Sequence, residues 1–202
     1  MNTKAQLFEA LVEQVGGKNW FLVEELGDTL ETKRYQGHLS VLGYRVPVYL
    51  YINNSLFSVV RVVLSQAPLK GNVLKSVWEH LNTLNKTYTA NKYYIGEDRN
   101  VFLDITLPAQ DNDFDPNMIL HILQEFLPAH LEQELPAIVS VLGEKTAEEL
   151  VAEAEAAAKA ETADKAAKAE APAKTTAKAS KPASTKKASP KKGAAKRKGA
   201  KK

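Results

Sequence analysis

YRVPVYLYINNSLFSVVRVVL, residues 44–64, decides the fold class. In its first half Val46, Val48, Leu50 and Ile52 take one side of a two-residue period, while Arg45, Pro47, Tyr49 and Tyr51 take the other. That alternation marks a strand with one buried and one outward face. Asn53-Asn54 interrupts it and offers a hairpin turn, because asparagine tolerates the left-handed conformation such turns use. The second half, Leu56 to Leu64, is apolar apart from Ser58 and Arg61, as expected of a central strand covered on both faces. Pro47 lacks a backbone donor and suits a sheet edge or a bulge.

Upstream, Tyr35, Gly37, Leu39 and Val41 alternate with Arg34, Gln36, His38 and Ser40, and Gly43 marks a tight turn. Residues 20–30 give a mixed signal that ends in a Gly27-Asp28 turn. Before them Leu7, Phe8, Leu11, Val12 and Val15 repeat at helical spacing until Gly16-Gly17 stops the helix. Downstream, residues 71–88 carry Leu74, Val77, Trp78, Leu81, Leu84 and Tyr88 on one helical stripe. A short strand at 93–96 and an alternating one from Val101 to Leu107 are joined by Glu97-Asp98-Arg99-Asn100. Asp115-Pro116 is an N-cap followed by proline in the first turn. Met118 to Leu127 is apolar almost all round, and Pro128 and Pro136 are expected to break the region into successive short helices. The expected fold is α+β: helix, three-stranded antiparallel meander, helix, two-strand hairpin and C-terminal helices.

Charge divides the chain differently. The formal net charge of +3 conceals twelve basic side chains and no acid after residue 170: Lys174, Lys178, Lys181, Lys186, Lys187, Lys191, Lys192, Lys196, Arg197, Lys198, Lys201 and Lys202. Residues 1–143 hold eleven bases against sixteen acids. Three segments follow: an α+β domain over 1–143, an Ala/Glu/Lys-rich and partly helical spacer over 144–170, and a basic tail over 171–202. The tail has no apolar residue larger than alanine, so burial cannot offset the entropy of ordering it, and disorder is expected. Its charge density suits a phosphate polymer, DNA or RNA, bound without reading sequence. A solubilising role and acidic lipid are the competing readings; no apolar anchor accompanies the charges.

The hairpin RVPVYLYINN, the run LNTLNKTYTANKYYIGEDRNVFLDITLP and the helical FDPNMILHILQEFLPAHLEQELPAI together resemble the YbjN family over residues 5–142. Members of that family share the fold of class I type III secretion chaperones. The resemblance implies a module, often dimeric, that binds other proteins through a sheet or helix face, with no catalytic residues to carry over. The tail departs from the family and resembles the arms of linker histones and bacterial histone-like proteins, whose S-P-K-K element matches Ser189-Pro190-Lys191-Lys192.

Chemistry finds little footing. His121 with Glu125, and His130 with Glu134, stand four residues apart, but no metal-ligand pattern, glycine-rich phosphate loop or nucleophile elbow occurs. No enzyme activity, metal or cofactor is expected. With no cysteine, no eighteen-residue apolar run and no apolar leader, a cytoplasmic protein without a membrane span is expected, with the nucleoid as the place its tail would take it. Tyr49 and Tyr51 share a strand face with Arg45, an arrangement able to stack unpaired bases. The acidic balance of the domain instead favours packing or a protein interface for them. Met118, Ile122 and Phe126 are the matching candidates on the apolar helix, for a core, a homodimer or a protein client. The functional expectation is a protein-binding domain tethered to DNA or RNA by its tail. The alternative is a chaperone-like module whose tail only aids solubility or captures an acidic partner.

Overall fold

The computed structural model describes residues 2–146 together with Glu148, Glu149, Val151 and Ala152. The chain divides into two units, Met1–Ala160 and Glu161–Lys202. The second unit lies outside the described residues, as do all twelve candidate residues of the tail and most of the spacer.

The elements run α1 (Thr3–Gln14), β1 (Leu22–Glu25), β2 (Lys33–Val41), β3 (Tyr44–Ile52), β4 (Phe57–Val63), α2 (Leu74–Thr87), β5 (Asn91–Ile95), β6 (Val101–Pro108), α3 (Pro116–His121), one π-helical turn (Ile122–Phe126) and α4 (Leu127–Leu142). The class is mixed α+β. One six-stranded sheet has the order β1-β2-β3-β4-β6-β5, antiparallel at every pairing. The meander therefore has a fourth strand, β1, in the stretch whose sequence signal was mixed.

The alternation of residues 34–52 is realised as read. Tyr35, Val41, Val46, Val48, Leu50 and Ile52 face inward, joining Phe8 of α1, Val77 and Leu81 of α2, and Leu127, Leu131 and Ile138 of α4 in a single core. Burial of this apolar set is the main force holding helices to sheet. All four helices use that inner face. The opposite face has no helix against it among the described residues, so β4 is central but covered on one side only: Ser58, Val60 and Val62 are buried, Val59, Arg61 and Val63 half-buried.

Pro47 fits for a reason the sequence could not supply. It pairs with His38 of β2, but the β3–β4 ladder begins only at Val48↔Val62, so this part of β3 has one neighbour. A missing donor there costs no ladder bond. The β2–β3 turn places both Leu42 (φ 49°) and Gly43 (φ 80°) in the left-handed region, the pattern of a tight two-residue hairpin. The β3–β4 turn differs from expectation, since neither asparagine is left-handed. Instead Asn53 Oδ1 accepts the Ser55 N–H at 2.9 Å, and the Asn54 N–H donates to the Leu30 carbonyl at 3.0 Å.

Two helical expectations are corrected. Trp78 leaves the apolar stripe of α2 and is 63% exposed, because a 3.6-residue period carries it past the edge of the buried arc held by Val77, Leu81 and Leu84. Pro128 and Pro136 do not break the C-terminal region, which stays helical from Pro116 to Leu142. The π-helical turn absorbs the first proline: the Leu127 N–H reaches back five residues to the Ile122 carbonyl, and Pro128 falls in the first turn of α4. Pro136 sits inside α4, where packing of Leu131, Leu135, Ile138 and Val139 holds the helix together.

Candidate interaction surface

The antiparallel registers draw one residue from each strand into a line across the open face: Leu22, Gln36, Tyr49, Arg61, Asp104 and Lys92. A second line beside it runs Glu24, Arg34, Tyr51, Val59 and Thr106. Side chains opposite one another on antiparallel strands are in contact range, so these lines are a physical surface rather than a bookkeeping device.

Arg61 is its centre. Its Nε and Nη2 donate to the two carboxylate oxygens of Asp104, each at 2.8 Å. Its guanidinium lies 5.4 Å from the Tyr51 ring centroid, 5.7 Å from that of Tyr94 and 5.4 Å from that of Phe102. The paired carboxylate raises the Arg61 pKa above its already high value, so this cation is permanent. Tyr94 stacks on Phe102 at 5.4 Å and donates its hydroxyl to Asp104 Oδ2 at 3.1 Å. Burial, then the charge of Asp104, push the Tyr94 hydroxyl up to about 12, and it stays a donor over the ordinary pH range. Farther along, Arg34 pairs with Glu24 and lies 5.7 Å from the Tyr49 ring, and Lys92 lies 5.2 Å from that of Tyr94. Arg45 reaches His38 Nδ1 at 3.3 Å.

Tyr49 and Tyr51, singled out from sequence, thus belong to a larger cluster with ring centroids 6.5 Å apart. The sequence missed Arg34, Arg61, Lys92, Phe102 and Asp104, which come together only through register. It also showed no local basic cluster, whereas the outward strand positions hold Arg34, Arg45, Arg61 and Lys92 against the carboxylates of Glu24 and Asp104.

The helical candidates lie on the other side of the sheet. Met118 and Phe126 are 49% and 40% exposed, but Ile122 is buried at 7% and is corrected from surface to core. Four-residue spacing sets the three on one helical stripe, with Ile122 in its middle turned to the core and the other two at its exposed edges. Phe126 is also half-committed: its ring stacks on His130 at 5.5 Å.

The histidines sort by environment. His121 Nδ1 meets Glu125 at 3.2 Å on an exposed turn. His130 does not bond Glu134. Its Nε2 accepts from Asn91 Nδ2 at 3.0 Å and from the Tyr93 hydroxyl, while Glu134 takes the Tyr88 hydroxyl. Burial lowers the His130 pKa, which keeps the ring neutral and Nε2 an acceptor. A cleft of about 310 Å3 beside α1 is lined by Phe8, Val12, Phe21, Tyr35 and Glu9. Within it Glu9 is already engaged, accepting from the Tyr35 hydroxyl at 2.9 Å and from Lys33 at 3.0 Å. Among the described residues no group of histidines and carboxylates is arranged to hold a metal ion, and no helix is long and apolar enough to cross a membrane. No protein-family model matches the chain, and no curated protein sequence matches it.

Proposed function

We propose that the protein is a non-enzymatic interaction protein: a YbjN-like protein-binding domain tethered to DNA or RNA by a sequence-nonspecific, histone-like lysine-rich arm. The observation that carries this reading is the segregation of charge. All twelve cations after residue 170 stand without an acid, behind a domain of eleven bases and sixteen acids. Such an arm gains affinity by releasing counterions from phosphates and reads no bases. The helix, meander, helix, hairpin and helix order supports the type III secretion chaperone-like layout, and Trp78, Met118 and Phe126 offer apolar surface for a protein client or a second copy.

Salt titration of the full chain on duplex DNA tests the arm. With about six lysines engaged, the log–log slope is near −5, and a chain ending at Ala160 loses the binding. A full chain that binds neither duplex nor single strands in dilute buffer removes the reading. The second reading, a chaperone-like module with a merely solubilising tail, is favoured by the same exposed apolar side chains. It predicts that client capture in a pull-down survives both nuclease treatment and removal of the arm.

A further inference from the structure

We propose that the open sheet face is a platform for unpaired bases, making single-stranded nucleic acid the ligand of that face. The inference rests on the preceding reading only for the arm's help; the face is argued from its own geometry. Tyr49, Tyr51, Tyr94 and Phe102 all occupy outward positions on β3, β5 and β6, where a solvated face ordinarily carries polar side chains. Interleaved with them are Arg34, Arg45, Arg61 and Lys92, which are four of the eleven bases of residues 1–143. The two carboxylates at outward strand positions are each held by an arginine, Glu24 by Arg34 and Asp104 by Arg61, and Asp98 of the β5–β6 turn adds a third at the rim, within the field of Arg61. A net-acidic domain therefore presents this face of rings and cations with four cations against three carboxylates.

Aromatic rings stack any base through its π-face, and cations beside them take the backbone phosphates. A duplex hides its base faces and has no use for the rings. A second copy docked face to face would set the same positive surplus against itself. An acidic peptide would use the cations and leave the rings idle. The face and the arm on one molecule would reinforce each other, since binding by either raises the effective concentration of the other.

The test uses the full chain with oligo(dT), oligo(U) and a duplex of equal length. At a salt concentration that strips the duplex from the arm, single strands stay bound, and ultraviolet cross-links map to Tyr49, Tyr51, Tyr94 or Phe102. Tyr51→Ala and Tyr94→Ala each weaken single-strand binding about tenfold and leave duplex binding unchanged, while Tyr94→Phe keeps single-strand affinity within about twofold. The ratio of oligo(dT) to oligo(U) affinity tells DNA from RNA. Cross-links confined to residues 171–202, with single and double strands lost at the same salt, overturn the proposal. So does displacement by a glutamate-rich peptide at a face that no oligonucleotide touches. The cross-links on the native chain need no variant to fold. The arm is judged separately by the full-length variant K186Q/K187Q/K191Q/K192Q/K196Q/K198Q: loss of duplex binding there upholds the arm whatever the face does.

Discussion

Arg61 and Asp104 stand directly opposite each other on β4 and β6 and share two parallel hydrogen bonds of 2.8 Å. The Asp104 side chain is 10% exposed and that of Arg61 33%, so the carboxylate is the partner with less access to water. Arg61→Ala leaves it with the Tyr94 hydroxyl as its donor and no cation in bidentate contact, at an expected cost of about 2 kcal/mol in urea unfolding. Arg61→Lys recovers only part of this, because an ammonium cannot reproduce the two-pronged contact or lie flat among the rings. The double variant with Asp104→Ala is less damaged than the two single losses added together.

Stability rises with pH across the histidine range. His130 has its pKa lowered by burial from an ordinary value of 6.5, so the unfolded chain binds the proton more readily than the folded one. The contribution is complete above the unfolded value and is lost as pH falls through it toward the folded one. Urea midpoints therefore drop as pH falls below about 6.5. His130→Gln keeps an acceptor, does not titrate and flattens the drop. Glu144, whose pKa is raised by burial, acts in the opposite sense at more acid pH and affects both proteins alike.

At the β2–β3 turn, Leu42 holds φ at 49° while half exposed, so its side chain contributes little packing to offset the strain. Leu42→Asn suits that conformation and raises stability by about 0.5–1 kcal/mol, read as a higher urea midpoint at unchanged slope.

Asn2 is buried and fully used: Oδ1 accepts the Ala5 N–H at 2.9 Å, and Nδ2 donates to the carbonyls of Glu31 at 3.0 Å and Ile52 at 2.9 Å. It caps α1 and ties it to two loops. Asn2→Ala is expected to cost about 2 kcal/mol. Asn2→Asp keeps the cap but turns the donor into an acceptor facing two carbonyls, so it is no milder.

What was legible in the sequence follows the range of the forces involved. The faces of β2 and β3 could be read because alternation is a local consequence of the pleat. β1 could not, since Leu22 to Glu25 are all exposed and carry no alternation at all. Trp78 and Ile122 were misplaced in opposite directions because helical period fixes relative angle, not which arc a neighbour covers. Pro136 misled because propensity speaks for an isolated helix, while the core packing of α4 outweighs one lost bond. The cluster around Arg61 was illegible for a different reason: its members lie on strands joined only through tertiary register. The arm, in contrast, was legible only in sequence.

The pairing of β4 with β6 also governs how the molecule assembles. Arg61 and Asp104 are 43 residues apart, so the middle of the sheet exists only after a long loop carrying α2 and β5 has closed. Non-local closure of this kind slows folding, whereas the tight β2–β3 hairpin needs almost none. Refolding is thus expected to show early hairpin structure and a late step in which the two halves of the sheet zip together, and Arg61→Ala reports on which side of the rate-limiting barrier that seam forms.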